Sequence, residues 1–297
     1  MRSGSVRNRK DRHAGFALLL ITSIGWGLNW PIIKLVLREW PPLFARGTAG
    51  LIAAAVLALV GYTRGERLSL PGALLGRLGA AAFLNVFAWM GFSTVAMVWL
   101  TVSEGALLVY TMPIWAMLLA WPIRSERPSL TGFAALVLGI AGLAVLLGGV
   151  EITAASGKVP GITLALAAAV QFAFGTVIFR SPLPLPPLTL TAWQVGLGCV
   201  PMVVLGAIFE APDLHALTKP GWAAMVYMAC VPMGICYLSW FAALRKLSSS
   251  TAALATLLTP LIGVLSAAVA FGEPLGFREI LALSLILTGV FLVVRKA

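Results

Sequence analysis

The sequence predicts an all-α integral membrane protein whose ten transmembrane helices form two inverted repeats of five. Three observations carry that prediction. The 297 residues are 60% hydrophobic and only 10% charged, against about 25% charged in soluble chains, and the mean hydropathy is +0.98. Apolar runs of about 20 residues, the length that crosses a bilayer as a helix, follow one another almost without pause. Residues 103–142 also recur, without a gap, 147 positions later at 250–289. Ser103 falls on Ser250, Ala106 on Ala253, Leu107 on Leu254, Pro113 on Pro260, Leu118 on Leu265, Glu126 on Glu273 and Gly142 on Gly289. Matching Leu and Ala weigh little in so apolar a chain. A proline inside an apolar run and a glutamate between two such runs are rarer, and both recur in register, so the chain reads as two copies of one half.

In order, residues 1–14 are a basic tail with Arg2, Arg7, Arg9, Lys10 and Arg12. The first repeat covers 15–149. Its helices are expected near 15–35, from after Pro41-Pro42 to about 60, 78–95, 98–121 with a kink at Pro113, and 130–148. Residues 150–160 are polar, small and aperiodic, and read as a linker. The second repeat, 161–297, places helices near 162–179, 188–209, 222–244, 251–271 with a kink at Pro260, and 280–294.

Five helices per half is odd, so the second copy enters the membrane from the opposite side. With the tail inside, inner segments hold fifteen Lys and Arg and outer ones six, namely Lys34, Arg38, Arg46, Lys158, Lys219 and Arg278. That asymmetry sets both termini in the cytoplasm of a bacterial inner membrane. It also accounts for the net charge of +11 without a nucleic-acid stripe. Cys199, Cys230 and Cys236 all lie in apolar runs and form neither a disulfide framework nor a zinc motif.

Inverted repeats have a mechanical meaning. Two similar bundles can exchange conformations, so that an outward-open state has an inward-open counterpart, with cargo held near the midplane between the halves. Pro113 and Pro260 sit where kinked helices could line that space or gate it; the same prolines could simply set packing angles.

These residues resemble two EamA-type repeats of the drug/metabolite transporter superfamily, a ten-helix fold, over nearly the whole chain. The likeness rests on Trp26-Gly27 with Lys34 in helix one, on Arg46 in helix two, and on Pro113, Glu126 and Gly142 with their copies at Pro260, Glu273 and Gly289. Residues 161–180 and 240–246 look like parts of the sixth and eighth helices. More narrowly, Glu104, Tyr110, Pro113 and Thr259-Pro260 are similar to the superfamily's aromatic amino-acid exporters. The resemblance implies a carrier of small molecules.

A cargo cavity needs apolar walls and a few placed polar groups. Trp26, Asn29 and Trp30 share a face of helix one at i, i+3, i+4. Asn85 and Trp89 do so on helix three, Gln171 and Gly175 on helix six, and Tyr227 with Cys230 on helix eight. Tyr110, Thr111 and Trp115 surround the kink of helix four. Trp and Tyr offer flat faces to a ring or a cation, and the amides can bond a carboxylate or an ammonium without carrying charge. The plainer readings are interhelical hydrogen bonds for the amides and an interfacial belt for tryptophan, which fits Trp40, Trp99, Trp121 and Trp222 at helix ends.

Glu104 is the one acid inside an expected span. It either faces interfacial water or is a proton or cation site that couples cargo to a gradient. Glu126 and Glu273 precede helices five and ten, where a carboxylate favours the positive end of the helix dipole. Lys34 and Arg180 can snorkel, and Arg46, one turn into helix two, is placed to meet a carboxylate at an outer vestibule.

The chain contains no G-x-x-x-x-G-K-[ST], H-E-x-x-H or G-x-S-x-G, and both histidines and both aspartates lie outside the spans. It is therefore expected to be no enzyme and to need no cofactor or metal. The partners expected are a small-molecule cargo, the lipid bilayer and, if transport is coupled, protons, with no nucleic acid and a monomer as the working unit. The favoured function is export of small amphipathic metabolites, amino acids including aromatic ones foremost. Efflux of drugs or quaternary ammonium compounds, which needs a carboxylate in the cavity, and a non-transporting scaffold remain open.

The charge asymmetry is testable. A fluorescent reporter that matures only in the cytoplasm, fused after Ala297, is expected to light up, and an alkaline phosphatase fused there to stay inactive; the reverse pattern overturns the five-plus-five topology.

Overall fold

The computed structural model describes residues 2–127, 130–147, 157–179, 183–247 and 257–296, and among these it contains helices and no strands. Most of the expected linker, Arg180 and the first six residues of the expected ninth helix lie outside the described residues.

The helices are α1 (Arg2–Val36), α2 (Pro42–Thr63), α3 (Gly72–Ala96), α4 (Val102–Arg124), α5 (Leu130–Leu147), α6 (Val159–Ile178), α7 (Pro187–Phe209), α8 (Lys219–Cys230 continuing as Val231–Ile235 and Cys236–Leu244), α9 (Leu258–Phe271) and α10 (Phe277–Lys296). Seven of them, α1–α4 and α6–α8, are long and apolar enough to cross a bilayer, while α5 and α9 are shorter apolar helices. The repeat is visible in where helices begin. Gly72 and Lys219 start α3 and α8, and Leu130 and Phe277 start α5 and α10, 147 residues apart in both cases.

Local chemistry explains the boundaries. Prolines open α2, α6 and α7 in their first turn, where a missing N–H is harmless. Pro71 opens α3 six residues earlier than expected. The residues expected to form a separate basic tail instead continue α1 from Arg2 onward. α4 is two helices, Val102–Val109 and Met112–Arg124, broken at Tyr110-Thr111. The break immediately precedes Pro113, whose nitrogen cannot donate to the carbonyl four residues back. Pro260 lies in the first turn of α9; the positions that match Tyr110-Thr111 are Leu257, a turn residue, and Leu258, where α9 begins, while the residues just before them lie outside the described ones. α3 widens into a π-helical stretch at Phe83–Gly91, and α8 does so at Val231–Ile235.

The outward surfaces are apolar. Phe133, Val137 and Ile140 line one exposed face of α5, and Val226, Val269 and Phe277 are among the other exposed side chains. Such a face has its natural partner in lipid. Inside, a large apolar cluster joins residues of most helices, and a smaller one joins Ala53 of α2, Val86 and Met90 of α3, Val195, Cys199 and Met202 of α7, and Met233 of α8.

Pairs of helices from opposite halves approach closely at glycine, as is common where lipid gives no hydrophobic drive. A Cβ on Gly47 of α2 would lie 2.7 Å from the backbone nitrogen of Val203, and one on Gly206 of α7 would lie 2.5 Å from that of Phe44. The repeated Gly142 and Gly289 do the same for α5 and α10, where a Cβ would fall 3.1 Å from the Ala282 carbonyl and 2.8 Å from the Ala135 carbonyl.

Acidic residues tie helix N-termini across the halves. Glu66, just past α2, accepts from Thr189 N (2.8 Å) and Thr189 Oγ1 (3.0 Å) at the start of α7. Glu210, just past α7, accepts from Leu43 N (3.0 Å) and Phe44 N (2.9 Å) at the start of α2. α2 and α7 therefore run antiparallel, each capped by a glutamate from beyond the other's end. Glu39, past α1, holds Thr218, the N-cap of α8, through its backbone nitrogen (2.8 Å) and hydroxyl (2.5 Å).

Two sequence expectations need correcting here. Glu273 does not serve the dipole of the helix it precedes. Its oxygens accept from Val102 N (2.7 Å), Ser103 N (3.0 Å) and Ser103 Oγ (2.7 Å) at the start of α4, while Glu279 bonds Gly276 N at the start of α10. Trp40 is buried rather than interfacial, its Nε1 donating to the Asp213 carbonyl at 2.9 Å. Trp99, Trp121 and Trp222 are exposed as expected.

Replacing Glu273 by Ala leaves the first N–H groups of α4 without acceptors in partly buried surroundings. The change is expected to lower stability by about 1–3 kcal/mol, with Gln intermediate, read as the midpoint of thermal unfolding in detergent. An unchanged midpoint would show that water replaces the cap.

Candidate functional site

α1 is wedged between α8 and α9 of the other half, and its Gly25-Trp26-Gly27 explains how. Gly25 faces Cys236 of α8, and a Cβ on Gly27 would lie 2.7 Å from Ile262 and 2.9 Å from the Thr259 carbonyl of α9. Between them, Trp26 donates from Nε1 to the Pro232 carbonyl (2.9 Å) in the widened turn of α8, and its ring meets Tyr237 edge-on at 5.7 Å. Tyr227 donates to the Gly25 carbonyl at 2.9 Å, while Cys230, its expected companion, is exposed.

One turn on, Trp30 is buried and turns to another neighbour. Its ring lies 6.1 Å from that of Tyr110 at the break in α4, beside Thr259. Thr111 donates to the Leu108 carbonyl (2.6 Å) and accepts from Trp115 Nε1 (3.0 Å), so these two side chains are occupied with each other and the backbone. Asn29, between Trp26 and Trp30 in sequence, is buried, and its Oδ1 has no hydrogen-bond partner among the described residues.

A third group lies between α3 and α6. Trp89, in the π-helical stretch, has its ring 4.5 Å from that of Phe172. One turn away, Asn85 lies against Gly175, where a side chain would collide with its amide, and Asn85 Oδ1 is likewise buried without a partner among the described residues. Gln171 is half-buried on the same helix.

The expected lining residues thus fall into three neighbouring groups rather than one contiguous wall. Two of those groups occupy matching places in the two halves. Trp26 of α1 against Tyr237 of α8 corresponds, within one residue of the 147 shift, to Phe172 of α6 against Trp89 of α3. Trp26, Trp89, Phe172, Tyr110 and Tyr237 are all partly accessible.

Sequence reasoning missed Phe172 and Tyr237. The signal was there, because shifting Trp26 and Trp89 by 147 lands on Ala173 and Cys236, their immediate neighbours.

Glu104 stands apart from all three groups. It closes a capping box with Thr101, and its carboxylate accepts from Thr101 N (3.0 Å) and pairs with Lys158 Nζ at 2.8 Å. Lys34 does not reach for water; its Nζ donates to the Met97 and Leu100 carbonyls at 2.5 and 2.8 Å, closing the C-terminal end of α3. A separate cavity of about 250 Å³ lies beyond it, lined by Lys34, Leu37, Arg38, Met97, Val98, Phe271 and Glu273, where the Arg38 guanidinium sits 4.9 Å from the centre of the Phe271 ring. Among the described residues no group of three or more His, Cys, Asp or Glu could hold a metal ion.

The chain is similar to known proteins along nearly its whole length. The chain is 28% identical over 286 residues to the uncharacterized transporter YvbV of Bacillus subtilis, covering 94% of this chain and 91% of that one. It is 26% identical over 296 residues to a probable amino-acid metabolite efflux pump of Salmonella typhimurium, covering 96% and 95%. It is 27% identical over 288 residues to the uncharacterized inner membrane transporter YedA of Escherichia coli, covering 94% and 90%. A solved crystal structure superposes with a TM-score of 0.68 over 97% of this chain and 98% of its own, at 21% identity, which speaks to fold alone. The profile of the EamA-like transporter family matches twice, at residues 13–148 and 159–295. With both halves matched, the chain belongs to the EamA-like transporter family.

Proposed function

We propose that this protein is a secondary transporter or facilitator of the inner membrane that exports small amphipathic metabolites, amino acids including aromatic ones foremost. In this reading ten helices cross the membrane as two inverted halves, and cargo passes between them by alternating access. The observation that carries it is the pair of equivalent aromatic contacts, Trp26–Tyr237 and Trp89–Phe172, one in each half. Beside them, at Asn29 and Asn85, lie two amide oxygens buried without partners.

Buried polar atoms in proteins are almost always bonded, so unpartnered acceptors next to accessible aromatic faces suit a guest that brings N–H groups and an apolar body. Two equivalent aromatic pairs suit an exchange of conformations, since each half presents a similar surface when the other is closed. The relative named as a probable amino-acid metabolite efflux pump supports the cargo class.

Cationic drug efflux draws less support, because the carboxylate of Glu104 is already engaged by Thr101 and Lys158. A role for Glu104 in proton coupling requires that Lys158 let go during the cycle.

Proteoliposomes containing the full chain are expected to show saturable flux of labelled aromatic and large aliphatic amino acids. Trp89→Ala should weaken apparent affinity for the aromatic ones about fivefold, the equivalent of about 1 kcal/mol of ring contact. Absence of amino-acid flux alongside intact flux of a lipophilic cation would end the amino-acid reading.

A further inference from the structure

Arg46 lies in α2 one turn from its start and is 7% exposed. The other cations that reach inward from helix ends are provided for. Lys34 donates to two carbonyls, Lys158 pairs with Glu104, and Arg124 donates to the Val177 carbonyl at 2.9 Å. Arg46 has no carboxylate within reach and donates no hydrogen bond among the described residues, and its Nε is buried outright. A guanidinium cannot discard its charge, and a charge taken from water without a partner is among the most unfavourable things a fold can hold.

Its surroundings make the position specific. Cys199 of α7 and Tyr237 of α8 are within electrostatic reach of it, and neither is a carboxylic acid. Along α2, the neighbours Ala45 and Ala49 belong to the large apolar cluster, while Leu43 and Ala53 belong to the smaller one. Arg46 therefore sits where the two clusters meet. Trp89 packs against both of them, and Tyr237, the partner of Trp26, packs against the smaller.

The second half has no counterpart. Matching α7 to α2 by their starts, Pro187 to Pro42, or by the 147 shift brings Thr191 or Trp193 to this place. A cation needed only to build the repeat would be expected in both copies.

We infer that Arg46 is the anchor for a carboxylate of the transported molecule, held bidentately by the guanidinium with the cargo's apolar body against Tyr237 and Trp89. A planar guanidinium presents five donors in a fork matched to a carboxylate. The inference rests on the transport reading above and narrows its cargo to organic acids and amino acids, excluding simple amines and quaternary ammonium ions.

Three probes sharing a phenyl group test it: phenylalanine, 3-phenylpropionate and phenylalaninamide, the last lacking the carboxylate. Binding to the full chain in detergent and flux into proteoliposomes are measured for wild type, Arg46→Lys, Arg46→Gln and Arg46→Met. Wild type is expected to prefer both carboxylates over the amide. Arg46→Gln should lose at least about tenfold in affinity for the carboxylates, the range of a charge-assisted hydrogen bond, and change less than twofold for the amide. Arg46→Lys should keep part of the preference.

Arg46→Met separates a binding role from a structural one. If the charge serves cargo alone, Met leaves thermal stability equal or higher, and 3-phenylpropionate, which raises the unfolding temperature of wild type, no longer does so. Equal losses for all three probes, or a wild type that ignores the carboxylate while still moving the amide, overturn the anchor and leave the transporter standing. Flux of no probe and of no other small solute overturns both.

Discussion

Helix ends in a dry environment constrain everything else in this protein. Each helix leaves four N–H and four C=O groups without partners in its own backbone, and inside a bilayer no water completes them cheaply. A chain with only ten acidic residues has few carboxylates to offer, and it commits four of them, Glu39, Glu66, Glu210 and Glu273, to helix starts in the opposite half. The caps are therefore also the fastenings between the halves. Lys34 and Arg124 play the complementary part at helix C-termini, Lys34 donating to carbonyls just past α3 and Arg124 to the last carbonyls of α6. Polar chemistry that a soluble protein would spread over its surface is concentrated here at the two rims of the bundle.

That concentration shapes the middle. With charges drawn to the ends, the interior is left to glycine contacts, aromatic rings and a few amides. α1 enters between α8 and α9 through Gly25 and Gly27, and α6 meets α3 through Gly175. Both partner helices widen into π-helical turns there, at Phe83–Gly91 and Val231–Ile235. Such turns loosen the hydrogen-bond ladder, frequently at functional sites, and in α8 the Pro232 carbonyl takes a hydrogen bond from Trp26.

Much of the frame was legible in the sequence because its signals are periodic. The 147-residue shift, the apolar runs and the break ahead of Pro113 all follow from residue spacing, and the structure has helix starts at that shift and a broken α4. What escaped were contacts set by three-dimensional neighbours. Glu273 was assigned to the helix that follows it because capping is a local rule, yet its carboxylate reaches 170 residues back. Trp40 looks interfacial by position in the chain and is buried because Asp213 offers it a carbonyl. The π-helical stretches have no sequence signature in apolar runs such as Phe83–Gly91. In the candidate site the residue types were visible and their grouping was not. Trp26 and Trp30 share a helix face, but one meets α8 and the other meets α4 and α9.

Symmetry then separates frame from recognition. Trp26 with Tyr237 and Phe172 with Trp89 match to within one residue under the shift by 147 and suit whatever both halves do alike. Asn29, Trp30 and Asn85 do not survive it, since their counterparts are Thr176, Val177 and Pro232, and Arg46 has no counterpart either. A small amphipathic molecule has a polar end and an apolar end and cannot be matched by a two-fold surface. Residues that read its orientation must break the repeat, and the buried groups without partners at Asn29, Arg46 and Asn85 all do. Divergence between copies placed polar atoms that the described fold leaves unsatisfied, and in the transport reading proposed above a guest that satisfies them accounts for their being tolerated.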